Sequence, residues 1–444
     1  MPDIKDRPMT QITHRRIWAI SWPIILSNAT VPLLGAFDTA VIGQMGAAHL
    51  IGAVGLGAVI LSSFYWLFGF LRMGTSGFTA QAQGAGDRLE VAAILYRALL
   101  VGAAAGLAIL LLQGPLFWAT FAVAPASEQV EQAARAYLGI RIWGAPAVIA
   151  LYAVNGWLIA REKTRAVLGL QLWINGLNAV LALWFVLGLG GGVQGAAYST
   201  LIAEWAGLVF GLWLCRAAFA PDLHAARARI FNADALRRMM SVNGVIMLRS
   251  VLIQGAFTGF LFLSAGLGDV PLAANQVLMQ FLAISAYALD GFAFSAETLV
   301  GQSIGARRSR DLDHAVKLSL IWGFGGAALV SASYAVAGGW MIDLMTTAAD
   351  VRALARDLLP WVALAPLISL ASYIYDGIFI GAMQARAMLQ VIAVSVAVYV
   401  LALLVALPVM GNHGLWLALL AMNAMRGGVA WRIWPRLRGA VVDG

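Results

Sequence analysis

Apolar runs of twenty or more residues, separated by short polar breaks, recur from one end of the chain to the other. About 20 such residues carry a helix across roughly 30 Å of hydrocarbon, and a run apolar on every face predicts a helix solvated by lipid. The pattern predicts twelve spans: 17–42, 47–72, 91–113, 133–160, 166–188, 193–217, 237–264, 270–298, 314–337, 354–381, 387–408 and 413–434. The fold class expected is therefore all-α, a polytopic membrane protein. The run from Ile17 to Ile42 is longer than a signal-peptide core and has no small-residue cleavage site before the next span, so it is expected to stay as the first helix.

Placement of Lys and Arg tests the count independently, because short cytoplasmic loops carry the excess of positive charge. The basic groups are Lys5, Arg7, Arg15 and Arg16 before the first span, then Arg88 and Arg97, then Arg161, Lys163 and Arg165, then Arg227, Arg229, Arg237 and Arg238. Arg307, Arg308, Arg310 and Lys317, then Arg386, then Arg436 and Arg438 complete the alternation, whereas the opposite loops contain only Arg352. Both termini are expected on the cytoplasmic side of an inner (plasma) membrane.

The two halves repeat each other. Gln81 and the Gly84-Ala85 pair match Gln302 and Gly305-Ala306 at a separation of 302 − 81 = 221. Asn155-Gly156 matches Asp376-Gly377, and Arg135 with Leu138 matches Arg356 with Leu359, at the same offset. Six spans, an even number, separate the copies, so the halves have the same orientation and are related by an axis along the membrane normal. The expected domains are a six-helix lobe over 1–217, a cytoplasmic linker over 218–236 and a second, pseudosymmetric six-helix lobe over 237–444. Two such lobes suggest a cavity between them opened alternately to either side, which is a transporter architecture.

Composition narrows the function. The chain is 61% hydrophobic and 11% charged, against about 25% charged in soluble proteins. Its net charge of +8 is spread between apolar runs instead of forming one basic patch, which argues against nucleic acid. The single cysteine, Cys215, excludes an intramolecular disulfide, and five histidines without HxxxH or HxH spacing give no metal signature. No cofactor is expected. No nucleophile and base are grouped for an enzyme of the bilayer.

Charges inside hydrocarbon cost about 2.5–3.5 kcal/mol each on insertion scales, so each needs a reason. Asp38 lies in the outward half of the first span, has no acidic counterpart in the second half, and can take up a proton because burial penalises its charged form. Its bland alternative is an acid that reaches the outer interface or pairs with a distant Arg. Glu204 falls near the middle of the sixth span, as a packing residue or part of a proton path. Asn175 and Asn178 are three apart and share a face of the fifth span, where they line the same cavity as Asp38 or bond between helices. Arg249 and Asp290 are expected at similar depth as a bracing pair, with Glu297 and Asp376 nearer the cytoplasmic face and Arg72 reaching to the inner interface. Pro23 and Pro32 remove backbone hydrogen bonds and permit bending beside Asp38, or make a static kink.

At this point the residues resemble a family. Trp22-Pro23, Asp38-Thr39-Ala40-Val41-Ile42-Gly43, Thr79-Ala80-Gln81 with Gly84-Ala85, Ala286-Tyr287-Ala288-Leu289-Asp290-Gly291, Asp376-Gly377 and Gly411-Asn412-His413 look like the DinF branch of the multidrug and toxic compound extrusion (MATE) transporters. The resemblance runs from about residue 17 to 434. It implies cation-coupled antiport that exports amphipathic, often cationic organic compounds, with Asp38 at the position of the aspartate that binds the coupling ion. One departure stands out: relatives place an aspartate one turn beyond the second asparagine of the fifth helix, where this chain has Ala182. One carboxylate suffices for a proton, whereas sodium would also need oxygens from Asn175, Asn178 or Thr39, so protons are the expected coupling ion and sodium the alternative. A monomer is expected. The rival reading, a flippase for lipids or lipid-linked precursors, would want a basic cavity, for which only Arg141 and Arg249 are available against Asp38 and Glu204.

Overall fold

A computed structural model describes residues 11–44, 48–123, 127–219 and 223–443. Among them are twelve long helices and no strand: α1 (His14–Gly43), α2 (Leu50–Gly84), α3 (Arg88–Leu111), α4 (Glu128–Ala160), α5 (Thr164–Gly188), α6 (Gly192–Leu214), α7 (Ala233–Gly266), α8 (Asp269–Gly305), α9 (Ser309–Met345), α10 (Ala349–Gly381), α11 (Ala385–Met410) and α12 (Asn412–Asp443). Ten of these, α2 to α11, are long and apolar enough to cross a membrane. Helices α1 and α12, at 30 and 32 residues, have the length as well. Shorter helices, Gln113–Val123 and Leu223–Ile230, lie in the loop after α3 and in the expected linker.

The helices outrun the apolar stretches that announce them. Helix α8 has 37 residues, about 55 Å of rise, where its apolar run ends near residue 298. The extra turns, Leu299–Gly305, are held by close packing against the last turns of α2: a Cβ on Gly305 would stand 1.9 Å from the Gln81 carbonyl oxygen, and one on Gly84 would stand 2.0 Å from that of Gln302. Since Gln81 and Gln302, and Gly84 and Gly305, are the 221-offset pairs, this contact is reciprocal. Local signals explain other boundaries. Asp87 caps α3 by accepting from the Glu90 amide at 3.1 Å. Gly411, at φ +54, joins α11 to α12 through one residue in a backbone region that side chains disfavour.

Contacts divide the chain into two compact units. One, the N-terminal lobe, holds Leu26–Thr79 and Asp87–Ser250; the other, the C-terminal lobe, holds the chain up to Ile25, Ala80–Gly86 and Val251 onward. The division thus passes through α1 after Ile25, two residues beyond Pro23, and through α7 after Ser250. In the N-terminal lobe α4 packs on α2, α3 and α6, and α5 packs on α6, around Leu71, Leu95, Leu138, Ile149 and Trp157. In the C-terminal lobe α10 packs on α8, α9 and α12, over a core that includes Phe260, Phe281, Tyr334, Leu358 and Trp416. The same close approach occurs once in each: a Cβ on Gly156 would lie 2.4 Å from the Arg72 carbonyl oxygen, and one on Gly377 would lie 2.2 Å from that of Ala293. Both partners keep the offset of 221, so the repeat read from residue identities is also a repeat of packing.

Candidate functional site

In the N-terminal lobe α1 and α5 meet along a polar seam. Thr30 and Asp38 are about two turns apart on α1, and Gln171, Asn175 and Asn178 follow one another at spacings of four and three on α5, so each set lines one face. The Asn178 amide donates to Asp38 Oδ1 at 3.0 Å, the Asn175 amide donates to Thr30 Oγ1 at 2.9 Å, and Gln171 Nε2 donates to Asn175 Oδ1 at 2.9 Å. Thr30 in turn donates to the Ser27 carbonyl at 2.7 Å. Asn178 is fully buried and its Oδ1 has no partner, while Asp38 is partly buried and no basic side chain among the described residues pairs with it. Ala182, one turn beyond Asn178, is buried, and from Leu183 to Gly188 the helix widens into a π-helical segment, a rare form that recurs near functional sites. The side chain of Thr39 lies outside the described residues. Helix α1 is continuous through both prolines, of which Pro23 is buried and Pro32 exposed.

Deeper in the same lobe Glu204 on α6 meets Arg141 on α4, Nη1 to Oε2, at 2.6 Å, with both side chains almost wholly buried. Helix α4 makes room for the pair. Immediately after Arg141 it tightens into a 3₁₀ turn, Ile142–Gly144, and a Cβ on Gly144 would stand 2.1 Å from Glu204 Oε2. Here Glu204 is not a lone packing acid: it neutralises Arg141 in a low-dielectric core. The two residues lie 63 positions apart, with one helix and two loops between them, and nothing in the sequence joins them.

The C-terminal lobe holds a second internal pair. Asp376 on α10 binds Arg426 on α12, whose Nη1 also donates to Asn423 Oδ1 at 3.4 Å. Arg249 is buried in the N-terminal lobe, whereas Asp290 and the fully buried Glu297 lie on α8 in the C-terminal lobe; these and Arg72 all have partners. No group of three or more His, Cys, Asp or Glu side chains is placed to hold a metal among the described residues.

Two duplicated lobes of membrane-crossing helices, with a carboxylate and amides set into one of them, define a polytopic membrane transporter. The comparisons agree. The MatE family model matches twice, over residues 23–184 and 246–406, once in each half. "DNA damage-inducible protein F" of Escherichia coli (strain K12) is 40% identical over 96% of this chain and 92% of its own length. "Protein DETOXIFICATION 44, chloroplastic" of Arabidopsis thaliana is 25% identical over 98% of this chain and 85% of its own. Among solved structures, one described as the outward-facing conformation of a multidrug resistance MATE family transporter of the MOP superfamily superposes with a TM-score of 0.87 at 18% identity, over 97% of each chain. The Vibrio cholerae MATE transporter VcmN in the bent form gives 0.85 at 19% identity, over 96% of this chain and 97% of its own. The chain belongs to the MatE family of membrane transporters, and its fold is that family's twelve helices in two lobes.

Proposed function

We propose that this protein is a secondary active antiporter that exports amphipathic or cationic organic compounds across the inner membrane in exchange for protons, and that Asp38 carries the proton. The observation that supports this best is the bond from the Asn178 amide to Asp38 Oδ1 at 3.0 Å within an apolar lobe. One donor fixes the carboxylate and leaves its second oxygen for a proton, and no second acid stands at position 182 to favour a bound metal cation. A proton cancels the charge that burial penalises. A cationic substrate and a proton then compete for the same negative charge, which is the minimum that exchange requires. Sodium is the less suited ion because it would leave Asp38 ionised and need further fixed oxygens. The class of compound is supported by the names of relatives, several of which are called "Probable multidrug resistance protein NorM". Both termini face the cytoplasm in this reading, which rests on the alternation of basic loops, and the working unit is a monomer without a cofactor. The flippase reading is weakened by Arg141, which Glu204 already neutralises.

Asp38→Asn keeps the volume and the Asn178 contact but cannot titrate. Cells expressing it should lose resistance to a lipophilic cation while the purified protein keeps its unfolding temperature. Wild-type resistance in that variant would remove Asp38 from the coupling step.

A further inference from the structure

The N-terminal lobe holds a group of cations that no described carboxylate neutralises. Trp157 is fully buried near the end of α4, anchored by its indole N–H, which donates to the Val91 carbonyl at 2.9 Å. Two cations lie against this one ring: Arg161 Cζ at 4.5 Å and Lys163 Nζ at 5.8 Å from its centroid. The turn that carries them is fixed by its backbone, with the Lys163 amide donating to the Leu158 carbonyl at 2.9 Å and the Glu162 amide to that of Ile159 at 2.8 Å. Arg216, its guanidinium over the exposed Trp213 at 4.3 Å, starts a 3₁₀ turn that packs against α3, whose first residue is Arg88.

The nearby acids are committed elsewhere. Asp87 is bound by Arg229, and Glu90 by Arg97 and Arg229; Glu162 has a partner of its own and is not among the groups acting on Arg161 or Lys163. Arg161 Nε is buried with no acceptor. Burial pulls Arg161 below its ordinary value against an opposing pull from Cys215, with the charge of Arg88 adding to the burial, while burial, Arg161 and Arg216 pull Lys163 down, again against Cys215. Burial pushes the Cys215 thiol up to about 12, so it is neutral at pH 7, and the cations that face one another here have no anion among the described side chains.

The duplicated half supplies a control inside the molecule. The equivalent turn, 221 residues on, is Ala382-Met383-Gln384, with the same amide bonds, Gln384 to Phe379 at 2.8 Å and Met383 to Ile380 at 2.9 Å, and the same left-handed central residue, φ +56 at Met383 against +57 at Glu162. That turn forms without a cation, so Arg161 and Lys163 are not needed to fold theirs. We propose that Arg161 and Lys163, with Arg88 and Arg216, form a binding site for a phosphodiester anion, the headgroup of an acidic membrane phospholipid. Basic pockets at helix ends hold such headgroups, and the exposed Trp213 beside Arg216 offers an aromatic flank at the height where tryptophan meets the lipid interface.

The test replaces the cations with the residues of the duplicate turn, Arg161→Ala with Lys163→Gln, a change the C-terminal lobe already tolerates. Phosphatidylglycerol, phosphatidylcholine and inorganic phosphate are each titrated into the full-length protein in detergent, and bound ligand is read by native mass spectrometry and by the shift in unfolding temperature. Wild type should retain phosphatidylglycerol over phosphatidylcholine, and the double variant should bind it roughly 30-fold more weakly, from about fivefold per basic residue. Arg135→Gln, which removes one cation at the other end of the lobe, should keep the preference. Equal binding of the two lipids, or an undiminished preference in the double variant, would overturn the site. Protection by inorganic phosphate at the same concentration as by phosphatidylglycerol would overturn the assignment to lipid.

Discussion

Glu204 and Arg141 hold each other at 2.6 Å with both side chains almost wholly buried. Removing one partner strands the other charge, which costs about 3–5 kcal/mol, whereas replacing both with apolar groups of similar size is often neutral. Glu204→Gln should therefore destabilise the protein strongly, and Arg141→Met with Glu204→Leu should recover most of the loss in thermal unfolding. Strictly additive losses would mean that the two residues act separately. Outside the membrane, burial pushes the Asp87 carboxyl up, but hydrogen bonds from Arg229 and from the Glu90 and Leu89 amides, with the charge of Arg229, outweigh it and leave the group below its ordinary 3.8. A group depressed in the folded state contributes stability above its unfolded value and loses it as pH falls through the lower folded value. The helix Leu223–Ile230 should accordingly stay docked on α3 at neutral pH and be released only in acid, below pH 3.8, which protease sensitivity of this segment would reveal. Asp87→Asn should bring the same sensitivity to neutral pH.

At the scale of helices the glycines set the spacing. A methyl group on Gly156 or Gly377 would press on a backbone oxygen at 2.4 or 2.2 Å, and backbone cannot turn aside as a side chain can. Each Gly→Ala change should cost about 1–3 kcal/mol by overpacking, and the two costs should be alike because the contacts are duplicates. Gly428→Ala on α12, with nothing within 4 Å, should be neutral or slightly stabilising. Equal effects at all three positions would show that helix propensity decides, not contact. These contacts also account for what was legible. The offset of 221 was visible in the residue identities of Gln81, Gly84 and Gly156, because close packing restricts which residues fit. The pairing of Arg141 with Glu204, and of Asp376 with Arg426, was not visible. A helix that is apolar on its lipid face and on its core face carries no periodic signal of how it is turned about its axis, and that rotation decides which charges meet. The joining of the polar faces of α1 and α5 was half legible, since the spacing of Asn175 and Asn178 fixed their face but not that it met Asp38. The π-helical segment after Ala182 left no mark in composition.

Across the whole chain, the number of spans and the duplication followed from hydropathy and repeat alone, because lipid imposes a length on each crossing that a sequence must state openly. The contact division through α1 and α7 could not follow, since connectivity says where a helix lies in the chain and not which half of it packs where. Restoring an acid through Ala182→Asp, one turn beyond Asn178, should place a second carboxylate beside the first, so that transport shows the two apparent transitions of a coupled pair where wild type shows one. A pH profile indistinguishable from wild type would mean that position 182 does not face Asp38. The claim that joins these scales is that a single carboxylate, held by Asn178, exchanges a proton for an organic cation. Its most direct measurement uses proteoliposomes containing the purified protein and a fluorescent lipophilic cation, with a proton gradient in sodium-free choline buffer compared against a sodium gradient at equal pH on both sides. The account predicts transport in the first condition, none in the second, and none in either for Asp38→Asn. Transport that runs on the sodium gradient at equal pH, and stops when choline replaces sodium, would contradict it.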